Sequence, residues 1–202
     1  MHPLIDGILQ RRFEVGNVSK QIHDDQYQVI TELLQNSICP NMQTVEIGSW
    51  TGLSAVLIGQ IVQRMSGTHH CVDWFRGTED NDGYLKETSQ KYNIKEVFLE
   101  NVSYFEIENT IKLLEMKSEE AVKYFENESL SFIFIDGDHK HEAVLQDIEM
   151  WFPKLKLGGG ISGHDYLASK QPVDYCFQNR TVTEDIWYIK KETHELHDNG
   201  SN

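Results

Sequence analysis

A strand that runs through glycines straight into a helix constrains this chain more than any other stretch: Thr44-Val-Glu-Ile-Gly-Ser-Trp-Thr-Gly-Leu-Ser-Ala55. Thr44 to Ile47 alternates β-branched residues with an acid and reads as a short buried strand, whereas Leu53, Val56, Leu57 and Val62 recur at helical spacing. Between them lies a turn holding Gly48 and Gly52. Such a turn brings bare backbone amides and a positive helix end close to a ligand, with Glu46 as an acceptor beside them. A nucleotide-type site is the expectation. The Gly-x-x-x-Gly spacing is neither the Gly-x-Gly-x-x-Gly of dinucleotide enzymes nor a P-loop, since no Lys-Ser or Lys-Thr follows Gly52.

The rest of the composition narrows the partners. At 202 residues the chain holds one α/β domain with a substantial core. Lys and Arg number 18 against 32 Asp and Glu, a net charge of −14, which argues against nucleic acid and anionic membranes as partners and favours small molecules. Cys39, Cys71 and Cys176 form no Cys-x-x-Cys pair, so neither a disulfide framework nor a thiolate zinc site is expected, and a reducing compartment fits. The start, Met-His-Pro-Leu-Ile-Asp, has no basic region followed by an apolar run, and no stretch of about 18 apolar residues occurs. A cytoplasmic protein is expected, and a homo-oligomer is compatible with it.

In chain order, residues 1–40 read as an N-terminal arm, a loose segment or lid through Lys20, followed by an amphipathic helix from Ile22 to Leu34. Residues 41–190 carry the strand and helix alternation, and 191–202 a polar tail. A second strand, His69 to Trp74, ends at Asp73, about 20 residues past the glycine turn, where an acid accepts hydrogen bonds from a ribose diol or is simply a turn acid. Trp74 to Gly83 and Tyr166 to Pro172 read as loops. Thr110 to Met116 is a third strand, and Ser118-Glu-Glu-Ala a helix start with Ser118 as N-cap. Leu130-Ser-Phe-Ile-Phe-Ile-Asp136 is a nearly continuous apolar run of the kind buried on both faces of a parallel sheet. A fifth strand runs toward Ile161-Ser-Gly-His164-Asp165-Tyr166, and Thr181 to Thr183 with Ile186 to Ile189 form a last pair. Glu46, Asp73, Asp136 and Asp165 therefore fall at the carboxyl ends of strands, where such sheets bind ligands.

The turn Glu46-x-Gly48-x-x-x-Gly52, the run Ile135-Asp136-Gly137-Asp138-His139, then Trp151-x-Pro153-Lys154-Leu155-x-x-Gly158-Gly159 and Gly163-His164-Asp165-Tyr166 together resemble a family. They look like the class I S-adenosylmethionine (SAM)-dependent methyltransferases that include cephalosporin hydroxylase-like proteins and the metal-dependent sugar O-methyltransferases of macrolide biosynthesis. The resemblance spans roughly Thr44 to Lys190. It implies a Rossmann-like α/β fold with a seven-stranded, mostly parallel sheet ordered 3-2-1-4-5-7-6, the seventh strand antiparallel. It implies SAM held by Glu46, Gly48, Ser49, Trp50, Thr51, Gly52, Asp73, Trp74, Ser118 and Asp136, with Ser118 bordering the adenine.

Under that order, strands four and five are neighbours about 4.8 Å apart, so Asp136 and Asp165 can converge on one cation. Oxygen ligands of this type suit Mg²⁺, Mn²⁺ or Ca²⁺. His164 stands where the resembling enzymes carry an acid. It implies a nitrogen ligand and a more borderline metal, an emptier magnesium shell, or no metal. His139 matches the family's general base, its bland alternatives being a helix cap or an orienter of Asp136. Methyl transfer from a sulfonium needs an aligned, deprotonated acceptor, which Asp136 and His139 are placed to provide. The expected activity is O-methylation of a small hydroxylated acceptor or sugar, assisted by a divalent cation. The alternatives are a non-catalytic SAM-binding or assembly protein and, from the glycine turn alone, a nicotinamide oxidoreductase. His69 and His70, adjacent in a strand, point to opposite faces and form no metal pair.

Overall fold

Leu130–Ile135 is buried at every position, and it forms the middle strand of a seven-stranded sheet in the computed structural model, which describes residues 24–78, 83–193 and 196. In chain order the elements are α1 (Asp24–Gln35), β1 (Gln43–Ile47), α2 (Leu53–Arg64), β2 (Thr68–Val72), α3 (Tyr84–Lys91), α4 (Ile94–Tyr104) and β3 (Ile111–Leu114). There follow α5 (Ser118–Ala121), β4 (Leu130–Ile135), α6 (His141–Trp151), β5 (Leu155–Gly163), α7 (Tyr166–Cys176), β6 (Thr181–Thr183) and β7 (Ile186–Lys190). The strand order is β3-β2-β1-β4-β5-β7-β6. β7 runs antiparallel to both neighbours and the other pairings are parallel. Order and reversed strand are those the resemblance implied.

The side chains of β4 alternate between two cores. Phe132 and Phe134 join Ile30 and Leu34 of α1, Val56 and Ile58 of α2 and Phe98 of α4, whereas Ile133 and Ile135 join Val144, Ile148 and Trp151 of α6 and Val173 of α7. Because both faces are covered, a strand here needs apolar residues at every position rather than every second one. The first helix is thus part of the main core. The rest of the expected arm, residues 1–23, lies outside the described residues, as do 79–82 of the Trp74 to Gly83 loop, His194 and His197. Among the described residues no helix is long and apolar enough to cross a membrane.

Two expectations need correction. Tyr166 to Pro172 is not a loop but the first turns of α7, with Pro172 inside the helix. The hairpin turn between β6 and β7 holds this start in place. Glu184 and Asp185 both take positive φ (49° and 64°), as a tight two-residue turn demands. The Asp185 carboxylate then accepts from the Leu167 amide at 2.8 Å, and the Asp185 carbonyl accepts from Tyr166 N–H at 3.0 Å. The second correction is at the start of the polar tail. Lys191 is buried, its ammonium donating to the carbonyls of Phe152 (3.2 Å) and Leu155 (2.7 Å).

His69 and His70 do face opposite ways. His69 is fully buried against Thr44, Nδ1 to Oγ1 2.8 Å, and His70 stands edge-on to Phe125 across the sheet.

Candidate functional site

The turn after β1 is wound by three left-handed residues, Gly48 (φ 86°), Trp50 (φ 45°) and Gly52 (φ 87°). At Gly48 glycine is required twice over. A Cβ there would sit 2.1 Å from the Asp136 carbonyl oxygen, because the turn crosses directly over the end of β4. Trp50 is a bulky residue in a conformation that costs free energy, of the kind that gathers at ligand sites. Not all amides of the turn are bare. Gly48 N–H donates to Val72 O (2.9 Å), Trp50 N–H to Asp73 Oδ2 (2.7 Å) and Gly52 N–H to Ser49 O (2.7 Å).

At the carboxyl edge of the sheet lies a cavity of about 1060 Å³, at the upper end of small-ligand sites. Gly48, Ser49, Trp50 and Thr51 form one wall, continued by Leu53 and Ser54 at the N-terminus of α2. Asp73, Trp74 and Ser118 line one side, and Asp136, His139, His164 and Asp165 another. Two expected cofactor residues are not part of this lining. Gly52 turns toward Phe98, where a Cβ would meet the ring at 2.9 Å. Glu46 lies beneath the turn, fully buried, with neither carboxyl oxygen hydrogen-bonded.

Burial raises the Glu46 carboxyl to about 8, opposed by the neighbouring Ser54 and Ser49 hydroxyls, while the charges of Asp136 and Asp73 add a smaller push upward. It is a neutral acid at pH 7, not an acceptor open to a ligand. His69 and Cys71 stand beside it, and the ligand atoms of these three lie within 4.8 Å of one another. Burial also lowers His69 to about 3 and raises the Cys71 thiol.

Asp73 is largely committed to holding its own loop. Its two oxygens accept from the amides of Trp50 (2.7 Å) and Phe75 (2.6 Å), while burial raises its pKa against these bonds. The backbone amides of Ser49 and Trp74 also hold this carboxylate in place. Trp74 is 38% exposed, with the Lys117 ammonium 5.1 Å and the Arg76 guanidinium 5.9 Å from its ring centroid.

The register of β4 on β5 pairs Ile135 with Gly163, so the residues that follow each strand meet. Asp136, His139 and Asp165 each offer a ligand atom within 4.8 Å of the others. His139 Nε2 is 3.2 Å from Asp165 Oδ2, and His164 Nδ1 lies between Asp136 Oδ1 (3.4 Å) and Asp165 Oδ2 (3.3 Å). Burial alone would lower the His164 pKa, yet its bonds to the two aspartates and their charge raise it to about 10. His164 in turn holds Asp165 below the usual carboxylate range despite burial. Asp165 is itself left-handed (φ 50°) at the start of α7. His139 does not cap α6. That position is Lys140, whose amide donates to Asp138 Oδ1 at 3.0 Å.

Ser118 lines the cavity but is not the cap of its helix. Lys117 is the N-cap of α5, and the Ser118 hydroxyl donates to Asp147 Oδ1 while accepting from Trp151 Nε1 at 2.7 Å. Glu119 and Glu120 do occupy the first turn of that helix. Asp147 and Asp185 both line the cavity and were not singled out by spacing, because each acts across sequence-distant elements. Asp147 had one visible mark, an acid on the otherwise apolar side of α6 among Val144, Ile148 and Trp151.

Residues 45–166 match the family described as a methyltransferase domain. Among solved structures, a candidate O-methyltransferase from Klebsiella pneumoniae is similar at TM-score 0.71 and 14% identity, covering 96% of this chain and 91% of that one. An S-adenosylhomocysteine-bound methyltransferase from Podospora anserina gives 0.70 at 12% identity, covering 96% and 89%. A candidate rRNA methylase from Clostridium thermocellum gives 0.61 at 12% identity, covering 84% and 98%. At such identities the likeness is one of fold, shared by proteins described with different acceptors.

Proposed function

The chain belongs to the methyltransferase-domain family, a SAM-dependent enzyme class, and on that premise we propose that it methylates a hydroxyl oxygen of a small molecule with the help of a divalent cation. One observation carries this reading: the ligand atoms of Asp136, His139 and Asp165 converge within 4.8 Å on the wall of the cavity beside the glycine turn. The O-methyltransferase description of one structural neighbour agrees with it. The net charge of −14 disfavours the phosphate-rich acceptor of an rRNA methylase.

In this proposal the nucleoside end of SAM lies along Gly48 to Thr51, Asp73, Trp74 and the Ser118 corner, with residues 41–190 forming the domain that holds it. Gln26 of α1 reaches the cavity from the preceding segment and borders the acceptor side. The donor set fits a magnesium- or manganese-like ion, since Asp136 and Asp165 would supply carboxylate oxygen and His164 imidazole nitrogen, leaving His139 as the base. When bound, such an ion polarises the acceptor hydroxyl and lowers its pKa. The protein's own part is to align that hydroxyl and receive its proton. His139, held through Nε2 by Asp165, keeps Nδ1 for the proton, a step worth on the order of 10²- to 10⁴-fold.

A second reading rests on His164. Its imidazolium sits between the two carboxylates and supplies the positive charge there without any metal. Methyl transfer from labelled SAM to a panel of sugars and polyols, with and without chelator, separates the two. Loss of turnover on chelation, restored by Mg²⁺ or Mn²⁺, supports the cation, and unchanged turnover removes it. SAM binding without transfer to any hydroxylated acceptor would favour a binding or assembly protein.

A further inference from the structure

Asp147 sits in the same corner of the cavity as Ser118, on α6, and is 7% exposed. Its Oδ1 accepts the Ser118 hydrogen, and Ser118 in turn accepts from Trp151 Nε1 at 2.7 Å. A serine hydroxyl has one hydrogen to give. Ser118 has given it to Asp147, so its side chain offers a ligand no donor. The second carboxyl oxygen, Oδ2, faces Gly137 on the cavity lining, 3.8 Å from where a Cβ on that glycine would stand. Any Cβ there would narrow the space beside this oxygen.

On the reading that SAM occupies the cavity with its base toward Ser118, we propose that Asp147 is the residue that selects adenine, its Oδ2 accepting a hydrogen bond from the exocyclic amino group. Ser118 and Trp151 are positioning residues that fix the carboxyl rotamer. A base carrying a carbonyl at that position, such as hypoxanthine, would set oxygen against oxygen beside a buried carboxylate. Burial raises the Asp147 carboxyl to about 6, so it remains an acceptor under mildly alkaline assay conditions.

Calorimetric titration of the full chain at pH 8 with S-adenosylhomocysteine and with S-inosylhomocysteine tests this. The expected preference of the unaltered protein for the adenosyl compound is about 10- to 100-fold, the size of one hydrogen bond to a charged group. Asp147→Asn keeps a partner for Ser118 but turns an NH₂ toward the base, and it should shrink the preference at least tenfold or reverse it. A ratio near one in the unaltered protein overturns the proposal without reference to any variant. So does an unchanged ratio in an Asp147→Asn protein that melts normally. If S-adenosylhomocysteine fails to bind at all, the nucleoside site falls and this assignment falls with it; binding without discrimination removes Asp147 alone.

Discussion

His139 Nε2 lies 3.2 Å from Asp165 Oδ2, joining the loop after β4 to the residue that starts α7. The contact exists because β4 and β5 are neighbours in register, and it gives the imidazole a fixed orientation toward the cavity. Replacing His139 by Ala should lower turnover by about 10²- to 10⁴-fold, while S-adenosylhomocysteine affinity stays within a few-fold. Asp165→Asn should lower turnover to a similar extent. Single-turnover methyl transfer alongside calorimetry checks both, and loss of binding instead of turnover would assign these residues to the cofactor.

Gly48 is the position least tolerant of a side chain. A Cβ there would lie 2.1 Å from the Asp136 carbonyl oxygen, on backbone at φ 86°. Gly48→Val should destabilise the protein by on the order of 3 kcal/mol or more, from left-handed strain and separation of the β1 and β4 ends. A thermal melt measures it, and a melting temperature within a degree of the parent would contradict this packing.

The buried His69 sets a pH dependence. Burial lowers it to about 3 from 6.5, so the folded chain keeps it neutral while the unfolded chain takes up a proton below 6.5. More protons are then bound in the unfolded state, and this group's contribution to stability is present above about 6.5 and is lost as pH falls toward 3. Glu46, raised to about 8 by burial, acts oppositely, its stabilising effect shrinking as pH rises from 4.5 through 8. Comparison with a His69→Leu variant isolates the histidine. The parent should lose melting temperature faster than the variant between pH 6.5 and 4, and parallel curves would mean that His69 titrates normally.

Lys191 replaces water for two carbonyls at the junction of α6 and β5. Lys191→Met removes the ammonium that also stands over the Phe152 ring and leaves both carbonyls without that partner, costing roughly 1–3 kcal/mol. Chemical denaturation should show a lower midpoint with an unchanged slope.

The parts of this fold written in local pattern were legible in the sequence. The nearly continuous apolar run of β4 announced a strand covered on both faces, and the acids after β4 and β5 announced a shared ligand edge. What acts across the chain was not. Pro172 argued against a helix that Asp185, from a hairpin far along the sequence, nonetheless caps. Ser118 has the residue type of an N-cap, yet Asp147 and Trp151 claim its hydroxyl. Glu46 has the motif's place but lies under the turn, inside a strand whose residues from Thr44 to Ile47 are all buried because helices cover both faces.

Calorimetric titration of the protein with S-adenosylhomocysteine, beside the Asp165→Asn variant, bears most directly on the site as a whole. Saturable binding at one molecule per chain, retained in Asp165→Asn, is the expected result, because the proposed assignment gives the nucleoside to the glycine turn and the Asp73 side and the acceptor to Asp165. Absence of binding to the unaltered chain would contradict a SAM site in this cavity.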